Sequence, residues 1–149
     1  MGQNQGACQS VVVASKMSCL EQVCRQILTE AQRQNYTEDD VFAIHLALEE
    51  AFVNAVRHGN KDRCSKTVKV EYLVSGERIE IYITDEGRGF DPNGVPDPRC
   101  GENLYKTSGR GLLLMRAFMN KVEFNSTGNS VRLVRYKNQP SLPSSEQEV

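Results

Sequence analysis

Glu49-Glu-Ala-Phe-Val-Asn-Ala-Val-Arg-His-Gly59 is the stretch on which the reading of this 149-residue chain turns. It continues an apolar stripe, Val41, Ile44, Leu48, Ala51, Phe52 and Ala55, whose steps of three and four are those of a helix. Thr37-Glu-Asp-Asp40 in front of it is an N-terminal signature, with Thr37 as cap and acids in the first turn, where aligned N–H groups favour them. Gly59-Asn60 marks the expected stop. Glu50, Asn54 and His58 fall at i, i+4 and i+8 and so stack on one stripe at the border of the apolar face. A carboxylate beside a carboxamide offers oxygens to a hard cation such as Mg²⁺, or can polarise a water or hydroxyl. Spacing alone fits a solvated helix face better than a site.

On the N-terminal side, Ser10-Val-Val-Val-Ala14 reads as a short buried strand, and Met17, Leu20, Val23, Cys24, Ile27 and Leu28 then recur at helical spacing. Beyond the central helix the period changes to two. Val68, Val70, Tyr72 and Val74, then Ile79, Ile81 and Ile83 after Ser75-Gly-Glu77, predict a hairpin with one wet face. Residues 86–110, dense in glycine and proline, read as a long loop of the functional kind. Leu112 to Met119 reads as a helix, and Val122–Asn125 with Val131–Tyr136 as a closing hairpin around Thr127-Gly-Asn129. The order β-α-α-β-β-loop-α-β-β predicts an α+β two-layer sandwich, a mostly antiparallel mixed β-sheet with three main helices on one face. The domain is expected over 10–137, between a flexible N-terminus, 1–9, and a flexible C-terminal tail, 138–149, both poor in apolar residues.

The counts narrow the function. Eighteen Lys and Arg against 19 Asp and Glu leave a net charge of -1, without the basic footprint that binding to a phosphate backbone rewards, so no direct nucleic-acid role is expected. No apolar run is long enough to span a membrane, and the start carries no signal-peptide pattern, so the expected compartment is the cytoplasm. Cys8, Cys19, Cys24, Cys64 and Cys100 form an odd set without CxxC spacing, which predicts reduced, structural thiols.

Two further segments could carry chemistry. Thr84-Asp-Glu-Gly-Arg-Gly-Phe-Asp-Pro92 sets Asp85 at a strand end, with Gly87 and Gly89 permitting close approach of a ligand, although a plain tight turn has the same composition. Thr107-Ser-Gly-Arg-Gly-Leu-Leu-Leu114 puts glycines ahead of a helix, where free N–H groups could meet a phosphate beside Lys106 and Arg110. Neither matches the Walker A spacing. In order and separation, however, the three segments resemble the N-box, G1-box and G2-box of the gyrase, chaperone, histidine-kinase and mismatch-repair (GHKL) ATPases, the histidine-kinase-like or Bergerat fold. Within that superfamily residues 9–137 resemble the small anti-sigma-factor serine/threonine protein kinases. The resemblance rests on Glu49 to Gly59, Asp85 to Pro92, Ser108-Gly-Arg-Gly-Leu112 and Met115-Arg-Ala-Phe-Met119.

The resemblance implies roles. Glu50 matches the general base toward an attacking hydroxyl, and Asn54 the carboxamide that ligates Mg²⁺ on bound ATP. Asp85 matches the aspartate that takes the adenine amino group, with Gly87 and Gly89 shaping that pocket. Ser108, Gly109, Arg110 and Gly111, flanked by Lys106, Thr107 and Leu112, match the loop that wraps the phosphates. Glu49 is the competing acid, but it lies one step, about 100°, from Glu50. His58 lies near the nucleotide by spacing but reads more readily as a helix-end hydrogen-bonding residue than as a phosphate contact; His45 reads as structural. Some of these kinases carry Arg immediately before the Ser-Gly of the third box, where this chain has Thr107. The implied activity is phosphorylation of a STAS-type anti-sigma-factor antagonist by a cytoplasmic homodimer that also sequesters a sigma factor. Alternatives are an ATP-binding regulatory module without transfer, a detached histidine-kinase ATPase domain, and a helical metal-dependent hydrolase.

Overall fold

Alternating apolar residues build one sheet from β1 (Gln9–Ala14), β2 (Thr67–Val74), β3 (Arg78–Asp85), β4 (Lys121–Phe124) and β5 (Ser130–Tyr136). The computed structural model describes residues 7–87 and 103–137, with only the backbone considered for 103–110. The terminal segments 1–6 and 138–149, and residues 88–102 with Gly89 and Cys100, lie outside the described residues. The strand order is β1-β2-β3-β5-β4 and every adjacent pair is antiparallel, so the expected mostly antiparallel sheet is antiparallel throughout its described part. Register pairs Val70 with Ile83 and Ile81 with Leu133, which turns Val68, Val70, Ile79, Ile81, Ile83, Val131 and Leu133 to one buried face. The other face is polar: Arg132 bridges Glu80 and Glu123 and donates to the Tyr82 hydroxyl at 3.0 Å.

Three helices cover the apolar face: α1 (Leu20–Arg33), α2 (Glu38–Val53) and α3 (Asn103–Phe118). Thr37 caps α2 as expected, its hydroxyl accepting from the Asp40 amide at 3.1 Å while the Asp40 carboxylate accepts from the Thr37 amide at 3.2 Å. α1 ends on Asn35 at φ 67, with the Tyr36 amide reaching back to the Ala31 carbonyl at 3.0 Å. This is the left-handed cap that asparagine tolerates better than other side chains. Val23, Ile27, Ile44, Leu48, Phe52 and Met115 fill the layer between helices and sheet. Among the described residues no helix is long and apolar enough to cross a membrane. The cysteines described, Cys8, Cys19, Cys24 and Cys64, are all free, and burial pushes the Cys24 thiol up to about 11, so it packs as a protonated apolar group.

One boundary differs. The loop expected over 86–110 ends earlier, because α3 begins at Asn103, and Lys106 to Gly111 are helical instead of forming a glycine hinge in front of a helix. Two interior glycines cost a helix about 1 kcal/mol each, but Gly111 meets Glu50 of α2 and Met115 is fully buried, and packing of α3 on α2 outweighs local propensity.

Candidate functional site

The C-terminal end of α2 does not run straight out. At Asn54 the hydrogen-bond span lengthens and Asn54–Gly59 form a π turn, closed by the Asn60 amide on the Ala55 carbonyl at 2.8 Å. Such single π turns frequently mark functional positions. The Asn54 amide still bonds the Glu50 carbonyl, so Glu50 and Asn54 remain one helical turn apart. His58 lies within the wider turn, so the i, i+4, i+8 stack read from the sequence ends at Asn54. His58 is part-buried, and burial lowers its pKa, aided by Lys61 and Arg57 and opposed by Asp62. Desolvation thus favours the neutral imidazole.

Glu49 and Glu50 separate cleanly. Glu49 is exposed and faces α1, where its charge helps raise the Cys24 thiol pKa. Glu50 is half-buried and faces α3: a Cβ added to Gly111 would fall on Glu50 Oε1. Gly111 is thus a point of close approach between helices, and the space it leaves is taken by the carboxylate. The Asn54 side-chain oxygen is buried with no hydrogen-bond partner among the described residues. A buried carboxamide oxygen without a donor is costly unless something electropositive completes it, and an oxygen ligand of this kind suits a hard cation.

The strand-end acid lies against the same helix end. A Cβ at Gly59 would fall inside the Asp85 carboxylate, and one at Gly87 would fall on the Gly59 carbonyl, so Gly59, Asp85 and Gly87 form one tight corner. The Gly87 amide donates to Asp85 Oδ1 at 2.7 Å. Burial nevertheless raises the Asp85 carboxyl from 3.8 to about 6, the Gly87 amide and the Lys66 charge offsetting part of it. Desolvation disfavours the charged form, and a donor brought in by a ligand would favour it again.

Sequence reasoning missed the residues that hold this corner. Asn60 is fully buried among four elements, and Asn129 donates to the Asp85 carbonyl at 3.3 Å while its own carbonyl accepts from the Asp85 amide at 2.9 Å. A buried asparagine after a helix stop has the same local sequence as an exposed turn residue, so pattern reading had no signal for it. The structure brings Glu50 to Gly111 and Gly59 to Asp85 and Gly87, two contacts joined along α2 and its π turn by Asn54, with His58 on the same π turn and Leu112 following Gly111 on α3. Lys106, Thr107, Ser108, Gly109 and Arg110 lie on the N-terminal half of α3, their side chains outside the described residues, as is Gly89. His45 is exposed on a groove between α1 and α2 lined also by Leu20, Cys24 and Leu28, apart from this corner.

Comparison with known proteins gives a consistent result. The family model of the histidine kinase-like ATPase domain matches residues 13–135. Serine-protein kinase RsbW of Bacillus velezensis is 32% identical over 115 residues, covering 72% of this chain and 72% of the relative. RsbW of Bacillus subtilis is 31% identical over the same length, and RsbW of Listeria monocytogenes serotype 4a is 26% identical over 119 residues, covering 75% of this chain and 76% of the relative. The crystal structure of the RsbU and RsbW domains of Rv1364c from Mycobacterium tuberculosis superposes with a TM-score of 0.60 at 15% identity, over 93% of this chain and 35% of that one. The chain thus spans about a third of the length of that protein, and the likeness is one of fold.

Proposed function

The chain belongs to the histidine kinase-like ATPase family, among the RsbW-type serine-protein kinases, and on that premise we propose that it is an ATP-dependent serine/threonine protein kinase and anti-sigma regulatory factor. The observation that carries the reading is the buried, unpartnered carboxamide oxygen of Asn54 one helical turn from the half-buried Glu50. Mg²⁺, bound with the triphosphate, supplies charge neutralisation there, and Asn54 is the protein oxygen suited to hold it, since this ion takes few protein ligands beside phosphates. Asp85 accepts from the adenine amino group in the corner made by Gly59 and Gly87, and the family resemblance assigns Gly89 to the same pocket. Lys106, Thr107, Ser108, Gly109, Arg110, Gly111 and Leu112 attend the phosphates, with His58 a neutral neighbour.

In the transfer, the acceptor hydroxyl oxygen bonds the terminal phosphorus while the bond to the bridging oxygen breaks and ADP leaves with the electron pair. The hydroxyl proton passes to the Glu50 carboxylate. Positioning and charge neutralisation carry most of the barrier reduction in such a step. The acceptor is a STAS-type antagonist protein, and the competing client is a sigma factor. Both use one surface of a cytoplasmic homodimer, and the added phosphate, about -1.5 to -2 in charge, expels one of them.

Calorimetry of ATP with Mg²⁺, beside phosphate transfer to a STAS-type antagonist, tests this. The unmodified protein is expected to bind and transfer; Asp85→Ala is expected to lose most of the affinity while staying folded by circular dichroism, and Glu50→Ala to bind but not transfer. Equal binding by the unmodified protein and Asp85→Ala would refute the nucleotide corner. The second reading, a module that holds ATP without transfer, has in its favour Thr107 at the position where, by the resemblance, some of these kinases have Arg; binding without transfer in the unmodified protein would select it.

A further inference from the structure

Asn60 takes no part in the mechanism above, yet its side chain makes three hydrogen bonds beside the site. It is fully buried, so no ligand reaches it. Its side-chain amide donates to Ser15 Oγ at 3.0 Å and to the Thr67 carbonyl at 3.0 Å, and its Oδ1 accepts from the Glu86 amide at 2.8 Å. Its backbone amide closes the π turn on Ala55 and its carbonyl accepts from the Arg63 amide at 3.0 Å. Both amide hydrogens and one oxygen lone pair are therefore used, close to the capacity of a carboxamide.

The consequence lies in what Asn60 adjoins. It follows Gly59, one wall of the corner, and it holds the amide of Glu86, the residue after Asp85, which is the other wall. One rigid side chain thus spans the end of the π turn and the turn after β3, and its two amide bonds fix it to the exit of β1 and the start of β2. A second tie, the Glu86 carboxylate on the amide and hydroxyl of Thr67 at 2.7 and 2.6 Å, is solvent-exposed and so weaker. We propose that Asn60 is a positioning residue for base selectivity: it holds the Asp85 carboxylate in place against Gly59 and so sets how its oxygens meet an exocyclic amino group. This rests on the nucleotide reading given above.

The test compares binding of ATP with that of inosine triphosphate, which carries a carbonyl where ATP has the amino group, in the unmodified protein, Asn60→Ala and Ser15→Ala. Ser15→Ala removes one partner of Asn60 but leaves its bond to Glu86, so it reports the cost of a buried hydrogen bond without moving the corner. The unmodified protein is expected to favour ATP; Asn60→Ala is expected to lower that preference about tenfold or more, as displacement of a recognition group by a fraction of an ångström does. Ser15→Ala should keep the preference while losing stability. An unchanged preference in Asn60→Ala, or an equal loss in Ser15→Ala, would overturn the proposal and leave the nucleotide reading standing. Failure of the unmodified protein to bind either nucleotide would remove both. Should Asn60→Ala not fold, hydrogen exchange of the Glu86 amide in the unmodified protein decides: protection is expected, and exchange at the rate of an open turn overturns the proposal.

Discussion

Asp85 is the residue whose chemistry the surroundings change most. Burial holds its carboxyl at about 6 in the folded chain against 3.8 as its ordinary value, so the folded state keeps a proton that the unfolded state has already lost. Stability from this group is therefore greatest below 3.8 and is lost as pH rises through about 6. Asp85→Asn removes the titration: its urea midpoint at pH 7 is expected above that of the unmodified protein, with a flatter pH dependence between 3.8 and about 6. A variant that followed the same slope would show that another group carries it. Gly111 makes the opposite kind of prediction. A methyl there meets the far end of the Glu50 side chain, which can swing aside, so the fold survives and the helix gains about 1 kcal/mol of propensity. Gly111→Ala is expected to melt no lower than the unmodified protein yet, if the proposed transfer occurs, to carry it out about tenfold or more slowly, because Glu50, the proposed base, has moved. Undiminished transfer would separate Glu50 from the chemistry.

The elements show which local signals could be read. Thr37-Glu-Asp-Asp40 announced α2 because capping is local chemistry, and the alternation of Val68, Val70, Tyr72 and Val74 announced β2 because side-chain period follows directly from strand geometry. The π turn was not legible. The apolar stripe continues through Ala55 and Val56 in either helix type, and what lengthens the hydrogen bonds is the tertiary fit of Gly59 and Asn60 to β3 and its turn. The start of α3 was hidden for a related reason, since Gly109 and Gly111 read as a hinge until the close approach of Glu50 explains one of them. Chain reversal after the π turn uses two successive left-handed residues without glycine, Lys61 at φ 54 and Asp62 at φ 60. That conformation costs a side-chain-bearing residue about 1–2 kcal/mol. Lys61 is exposed, so Lys61→Gly is expected to raise stability by up to about 1 kcal/mol in urea denaturation with ATP affinity unchanged. A loss of stability would mean that the lysine side chain makes a compensating contact.

At the scale of the whole molecule, helices and sheet are joined by a buried ion pair that pattern reading could half foresee. Val131, Leu133 and Arg135 alternate on one face of β5, so period two already aims an arginine into the core. Its partner could not be named, because Asp40 lies 95 residues earlier in the cap of α2. Arg135 Nε donates to Asp40 Oδ1 at 2.9 Å and Nη1 donates to the Phe118 carbonyl at 2.6 Å, with both charged side chains under 5% exposed. One guanidinium thus joins the start of α2, the end of α3 and the sheet, and fixes the two helices that carry Glu50 and Gly111. Desolvation offsets much of the attraction in such a pair, but removing one partner strands the other charge in a dry core. Arg135→Met keeps the packing volume and leaves Asp40, among the described residues, with the Thr37 amide as its side-chain hydrogen-bond donor, so it is expected to cost about 3–5 kcal/mol in urea denaturation. Arg135→Met with Asp40→Asn is expected to recover part of that loss, since the second change removes the stranded charge and keeps an oxygen for the cap. If the single variant lost less than about 1 kcal/mol, the range usual for an exposed pair, water would have to reach Asp40 and the joint would not be holding the two helices together.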